Sequence, residues 1–84
     1  MTESSKINGH LIEIFYSNWN GKEIIKYDGK IVAERRNLST FSSINSFKVE
    51  EEGEEVVYEI QSLAGIFGHG FAIRRNGIIQ VHKP

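Results

Sequence analysis

From His10 onward, apolar and β-branched residues recur at every second position, and Asp-Gly, Glu-Gly or Asn-Gly interrupts the runs. A period of two marks strands with one buried and one wet face, and Gly after Asp or Asn between such runs marks a tight hairpin. No apolar stripe of helical period has useful length, so almost no helix is expected. The stretch that organises the rest runs from Lys22 to Arg36, two β-type runs flanking Asp28-Gly29.

Residues 1–9 are polar and read as a frayed terminus. Ile12, Ile14 and Tyr16 fall on one face of the run that begins at His10. With Asn20-Gly21 as a two-residue turn, Tyr16 would lie opposite Ile25 and Ile14 opposite Tyr27. A three-residue loop at Tyr27-Asp28-Gly29 would pair Ile25 with Ile31 and Lys22 with Glu34. Residues 37–44, rich in Ser, Thr and Asn, read as a connection anchored by Phe41. The clearest hairpin turns at Glu52-Gly53, setting Val49 against Val56 and Phe47 against Tyr58, with Lys48, Glu50, Glu55 and Glu59 towards water. Residues 63–70, with three glycines, read as a flexible link. Around Asn76-Gly77, a three-residue loop sets Ile73 against Ile79 and Phe71 against Val81, and keeps apolar residues on one side. Phe47, Val49, Val56, Tyr58, Ile60, Phe71, Ile73, Ile79 and Val81 are then the expected core. The class is all-β: a small antiparallel β-sandwich or half-open barrel of about seven strands joined by tight hairpins. One domain is expected over residues 10–84, with no internal repeat.

Composition narrows the function. The 84 residues suit one small domain. Ten basic and eleven acidic residues leave a net charge of −1, which argues against nucleic acid and anionic membranes as partners. There is no cysteine, so thiol chemistry is excluded. The start has no apolar leader core and no run reaches transmembrane length, so a cytoplasmic protein is expected. His10, His69 and His82 lack metal-ligand spacing. The acidic run from Glu50 to Glu55 lacks a calcium loop's spacing and reads as a solvated hairpin tip. Gly65-Ile66-Phe67-Gly68-His69-Gly70 has no following Lys-Ser/Thr and opens into a strand, so it is no phosphate loop. Arg35, Arg36, Arg74 and Arg75 with Lys22, Lys26 and Lys30 form either a basic patch for an acidic partner or ordinary charged strand ends. No nucleophile–base pair stands out, and neither a catalytic residue, a cofactor nor a metal is expected.

The order of hairpins resembles the Fas apoptotic inhibitory molecule family. The likeness rests on Gly-Lys-Glu-Ile-Ile-Lys-Tyr-Asp-Gly-Lys-Ile-Val, Phe-Lys-Val, Gly-Glu-Glu-Val-Val-Tyr-Glu-Ile and Gly-Phe-Ala-Ile-Arg-Arg-Asn-Gly, over roughly residues 10–82. The resemblance implies a non-enzymatic β-sandwich acting through protein contacts, associated with cell survival and with limiting protein aggregation. That family has two units where this chain has one, and it brings no catalytic residue to carry over.

One feature of the residues themselves points the same way. With Ile12, Ile14, Tyr16, Ile25 and Tyr27 facing one side, Leu11, Phe15, Ile24 and one of Ile31 or Val32 face the other. The opening sheet is thus apolar on both faces, and a second sheet covers only one of them. Leu11, Phe15, Trp19 and Ile24, bordered by Lys22 and Lys26, are the candidate binding residues. They serve either a protein-interaction module, self-associating or with another protein, or a small carrier. The carrier would hold an apolar ligand between the sheets or under the Gly-rich 63–70 segment.

Overall fold

The computed structural model describes residues 2–16, 22–36, 42–65 and 68–83. Within them the chain is all-β and antiparallel, the class of a small β-sandwich. Its contacts divide into two compact units, Met1–Thr40 and Phe41–Pro84, where the sequence reading has a single domain.

The first unit is the meander β1 (Thr2–Ile7), β2 (His10–Tyr16), β3 (Lys22–Tyr27) and β4 (Lys30–Arg36). The second repeats it with β5 (Ser42–Glu51), β6 (Glu54–Gly65), β7 (Gly68–Arg75) and β8 (Ile78–Lys83). Residues 2–7, expected to fray, pair with β2 along their whole length and bury Ile7. Most of 63–70, expected to be a flexible link, is paired strand, from Leu63 opposite Gly70 to Gly65 opposite Gly68.

Four hairpins turn at Asn8-Gly9, Asp28-Gly29, Glu52-Gly53 and Asn76-Gly77, each with φ positive at both central residues. This is the type I′ pattern, whose twist matches the flanking strands. The turn expected at Asn20-Gly21 lies outside the described residues. Its flanking strands nonetheless pair two residues away from expectation, with Ile14 opposite Ile25, Ile12 opposite Tyr27 and Tyr16 opposite Glu23. A shift of two preserves the face, so the apolar set stays on one side.

The three-residue loops expected at residues 27–29 and around 76–77 are replaced by two-residue turns followed by a bulge. In the first unit the register passes from Lys26 opposite Ile31 to Ile25 opposite Ala33, leaving Val32 extra. In the second it passes from Arg74 opposite Ile79 to Ile73 opposite Val81, leaving Gln80 extra. A strict two-residue register would set Ile73 against Gln80. The bulge absorbs that one residue, so the turn keeps its preferred geometry and the core its apolar partner. Ile79, expected in the core, consequently lies on the other face and is 54% exposed.

The core of the first unit comprises Ile7, Ile12, Ile14 and Ile25; that of the second holds Phe47, Val56, Tyr58, Ile60, Phe71 and Ile73. Val49 and Val81 are half-buried. The Phe47 and Tyr58 rings stack at 5.3 Å across the hairpin, in the register expected for it.

The units match in detail as well as in order. Asp28 donates its N–H to the Leu11 carbonyl at 2.8 Å, and its Oδ1 accepts the Leu11 N–H at 2.9 Å. Asn76 does the same with Val57, at 2.8 and 3.0 Å. This correspondence lies in turns, bulges and register, with few identical side chains, so no internal repeat is visible in the sequence.

Candidate functional site

Strand alternation divides the first sheet into an Ile12 face and a Leu11 face. The Ile12 face is buried and includes the carboxylate-bearing Glu23. On the Leu11 face, Phe15 stands directly opposite Ile24 and Glu13 directly opposite Lys26. Ile31 lies beyond Lys26 on β4. Leu11 is 38% and Ile31 57% exposed, while Phe15 and Ile24 are half-buried. Of the residues singled out from the sequence, Leu11, Phe15, Ile24, Lys22 and Lys26 therefore share one face; Trp19 lies outside the described residues.

The strand register places Lys6, Lys22, Lys26 and Arg36 on this face with Glu13 and Glu34. Lys22 Nζ lies 2.6 Å from Glu34 Oε1, the pair expected from the sequence although the two residues sit diagonally. Lys26 Nζ stands 5.1 Å from the centre of the Phe15 ring, a cation–π contact worth about 0.5–1 kcal/mol at such a site. Its carbon stem lies along the face, with the ammonium over the ring.

The second unit supplies an internal comparison. Val57, Glu59, Gln61, Ala72, Arg74 and Ile79 occupy the positions of Leu11, Glu13, Phe15, Ile24, Lys26 and Ile31. Glu59 stands opposite Arg74 as Glu13 stands opposite Lys26. Where the first unit has Phe15 beneath a lysine, the second has Gln61, whose Oε1 accepts from Arg74 Nη1 at 3.3 Å. Where the first has half-buried Ile24, the second has Ala72, which is buried. The aromatic and the larger aliphatic side chain of the first unit are thus replaced by Gln61 and Ala72, while Ile44, opposite Gln61, and Ile79, opposite Arg74, stay exposed on the second unit's face.

Two further clusters escaped the sequence reading. Glu51, read as part of a solvated tip, is buried; its Oε2 accepts the Tyr58 hydroxyl at 2.6 Å. Its Oε1 accepts Arg75 Nε and Nη2 at 3.1 and 2.9 Å. Burial first, and then the hydrogen bond and charge of Glu51, push the Tyr58 phenol up to about 12. The bond to Glu51 is also the main reason why the Arg75 guanidinium is held more firmly charged. The signal was present in the alternation, since Glu51 follows Phe47 and Val49, and Arg75 follows Phe71 and Ile73, at spacing two. The other cluster joins the ends of two hairpins: His10 Nδ1 lies 2.6 Å from Asp28 Oδ2, and its ring stacks on Tyr27 at 5.0 Å. The backbone bonds of Asp28 to Leu11 fix the carboxylate that orients this imidazole.

Among the described residues no three His, Cys, Asp or Glu side chains come together to hold a metal. No helix among them is long and apolar enough to cross a membrane. No family model matches the chain, and neither a curated protein nor a solved structure is significantly similar to it.

Proposed function

We propose that this chain is a non-enzymatic, cytoplasmic protein-interaction module that binds a protein partner on the Leu11 face of its first sheet. The observation that carries the proposal is the cluster of apolar side chains on that face, with Phe15 opposite Ile24 and both Leu11 and Ile31 in water. In the second unit the positions of Phe15 and Ile24 hold Gln61 and Ala72, and among the described residues Ile44 and Ile79 are the exposed apolar side chains of that face. Each large apolar side chain left uncovered forgoes part of about 1.5–3 kcal/mol of burial, so a cluster of them suits a surface that is covered in use. The reading agrees with the character implied by the resemblance to the Fas apoptotic inhibitory molecule family.

The test is quantitative co-purification with the tagged chain from cells of its source, beside Phe15→Glu and Ile24→Glu. The expected result is a partner, either another protein or a differently tagged copy, lost from both variants while their far-ultraviolet spectra stay unchanged. If both variants unfold, or retain the same partners as the parent, the Leu11 face is not the interface.

A further inference from the structure

We infer that His10 and Asp28 form a proton-operated clasp, which grips the turn between β3 and β4 more firmly when the imidazole is charged. The inference stands apart from the interaction reading above. His10 Nδ1 lies 2.6 Å from Asp28 Oδ2, so the contact joins the start of β2 to that turn. The other carboxylate oxygen, Oδ1, accepts the Leu11 N–H at 2.9 Å, and the Asp28 N–H donates to the Leu11 carbonyl at 2.8 Å. The ring of His10 stacks on Tyr27 at 5.0 Å, so carboxylate and imidazole are both held in place. The turn itself does not need a carboxylate. Asn76 makes the same two backbone bonds in the second unit, where Val56 occupies the position of His10. What Asp28 adds is a charge, aimed at a side chain that takes up a proton near neutral pH. Within the first unit, β1 sets Ile7 opposite His10, and β3 with its turn supplies Tyr27 and Asp28. Lys30, opposite Tyr27 on β4 and exposed, is the cation next in register. Ile7 and a neutral Tyr27 do not oppose a positive imidazole, and Lys30 opposes it weakly through water. Protonation turns a neutral hydrogen bond into a charge-assisted one, roughly twice as strong. In the unfolded chain no carboxylate is held beside the ring, so the folded chain takes the proton more readily. The added stability is fully present below about pH 6.5, the ordinary imidazole value, and is lost as rising pH removes the proton. Acid strong enough to protonate Asp28 removes it again.

Chemical denaturation of the full chain, beside Asp28→Asn and His10→Gln, tests this. Asp28→Asn keeps the acceptor that Leu11 uses, as Asn76 does for Val57, and removes the charge. The folding constant of the parent relative to Asp28→Asn should be about two to five times larger at about pH 5.5 than at about pH 7.5, the range for an exposed pair. Introduced into His10→Gln, Asp28→Asn should have the same effect at both pH values. A ratio that pH leaves unchanged overturns the inference, and so does a pH-dependent effect that persists without His10. Should a variant fail to fold, a second measurement needs only the parent. In nuclear magnetic resonance, the Leu11 amide, bonded to Asp28, should move with an imidazole step near neutral pH. The Val57 amide, bonded to Asn76, should not. A Leu11 amide that stays still, or a Val57 amide that moves equally, overturns the clasp.

Discussion

Tyr58 is the residue at which burial and chemistry meet. Its ring belongs to the core, and its hydroxyl is spent on Glu51, which Arg75 holds from the other side. The phenol is neutral when protonated and its folded pKa, about 12, lies above the ordinary 10.0. Below about pH 10 both folded and unfolded chains keep the proton, so the benefit is fully present. From there to about pH 12 the unfolded chain releases a proton that the folded chain retains, and stability falls. Denaturation midpoints of the parent should therefore drop across this window more steeply than those of Tyr58→Phe. A tyrosinate absorbance step near pH 12 should also vanish in the variant. Identical slopes and absorbance would show that the hydroxyl is not held as described. Phe47 and Phe71 carry the apolar share of the same core, and replacing either by Ala should cost about 3–5 kcal/mol in chemical denaturation. Tyr58 and these phenylalanines were legible in the alternation. Glu51 was not, because a run of glutamates reads as solvated until the face of each one is counted.

Among the elements, the hairpin ends carry the most information. Asn8, Asp28 and Asn76 occupy the first turn position, with φ between 50 and 53 for the asparagines and 49 for Asp28; such residues tolerate this left-handed region. Glu52 occupies the same position at φ 54 without that tolerance. Glu52→Asn should therefore raise stability by about 0.5–1 kcal/mol, read as a higher denaturation midpoint. No gain would mean that the turn relaxes in solution. Asn76→Ala should lower stability by about 1–2 kcal/mol, since it strands the Val57 N–H and strains the backbone. Asn76→Asp should be close to neutral, because Asp28 already makes the same bonds to Leu11. The turns at 28–29, 52–53 and 76–77 were legible because Gly between β-type runs has few other uses. The bulges at Val32 and Gln80 were not, since a two-residue turn with a bulge and a three-residue loop satisfy the same apolar pattern. β1 was missed because Thr-Glu-Ser-Ser-Lys-Ile offers one apolar anchor, Ile7, and pairing with β2 supplies what its side chains do not.

For the whole molecule, the Leu11 face was legible because parity alone sends Leu11, Phe15 and Ile24 to the side opposite Ile12 and Ile14. What stays exposed on it was not, because that depends on how β2 pairs with β3 and β4, which parity alone leaves open. A partner drawn by opposite charge binds more weakly as salt rises, because ions screen exposed charges beyond about 8 Å at physiological ionic strength. A partner held by Phe15, Ile24, Leu11 and Ile31 keeps its hold, because apolar burial is not screened in this way. Co-purification with the tagged chain should therefore fall by less than about threefold between low and several-fold higher sodium chloride. Sulfate, which strengthens apolar burial, should raise the amount recovered. Recovery that declines steadily with sodium chloride would instead show a partner held by exposed cations such as Lys6, and the apolar cluster would not be what binds it.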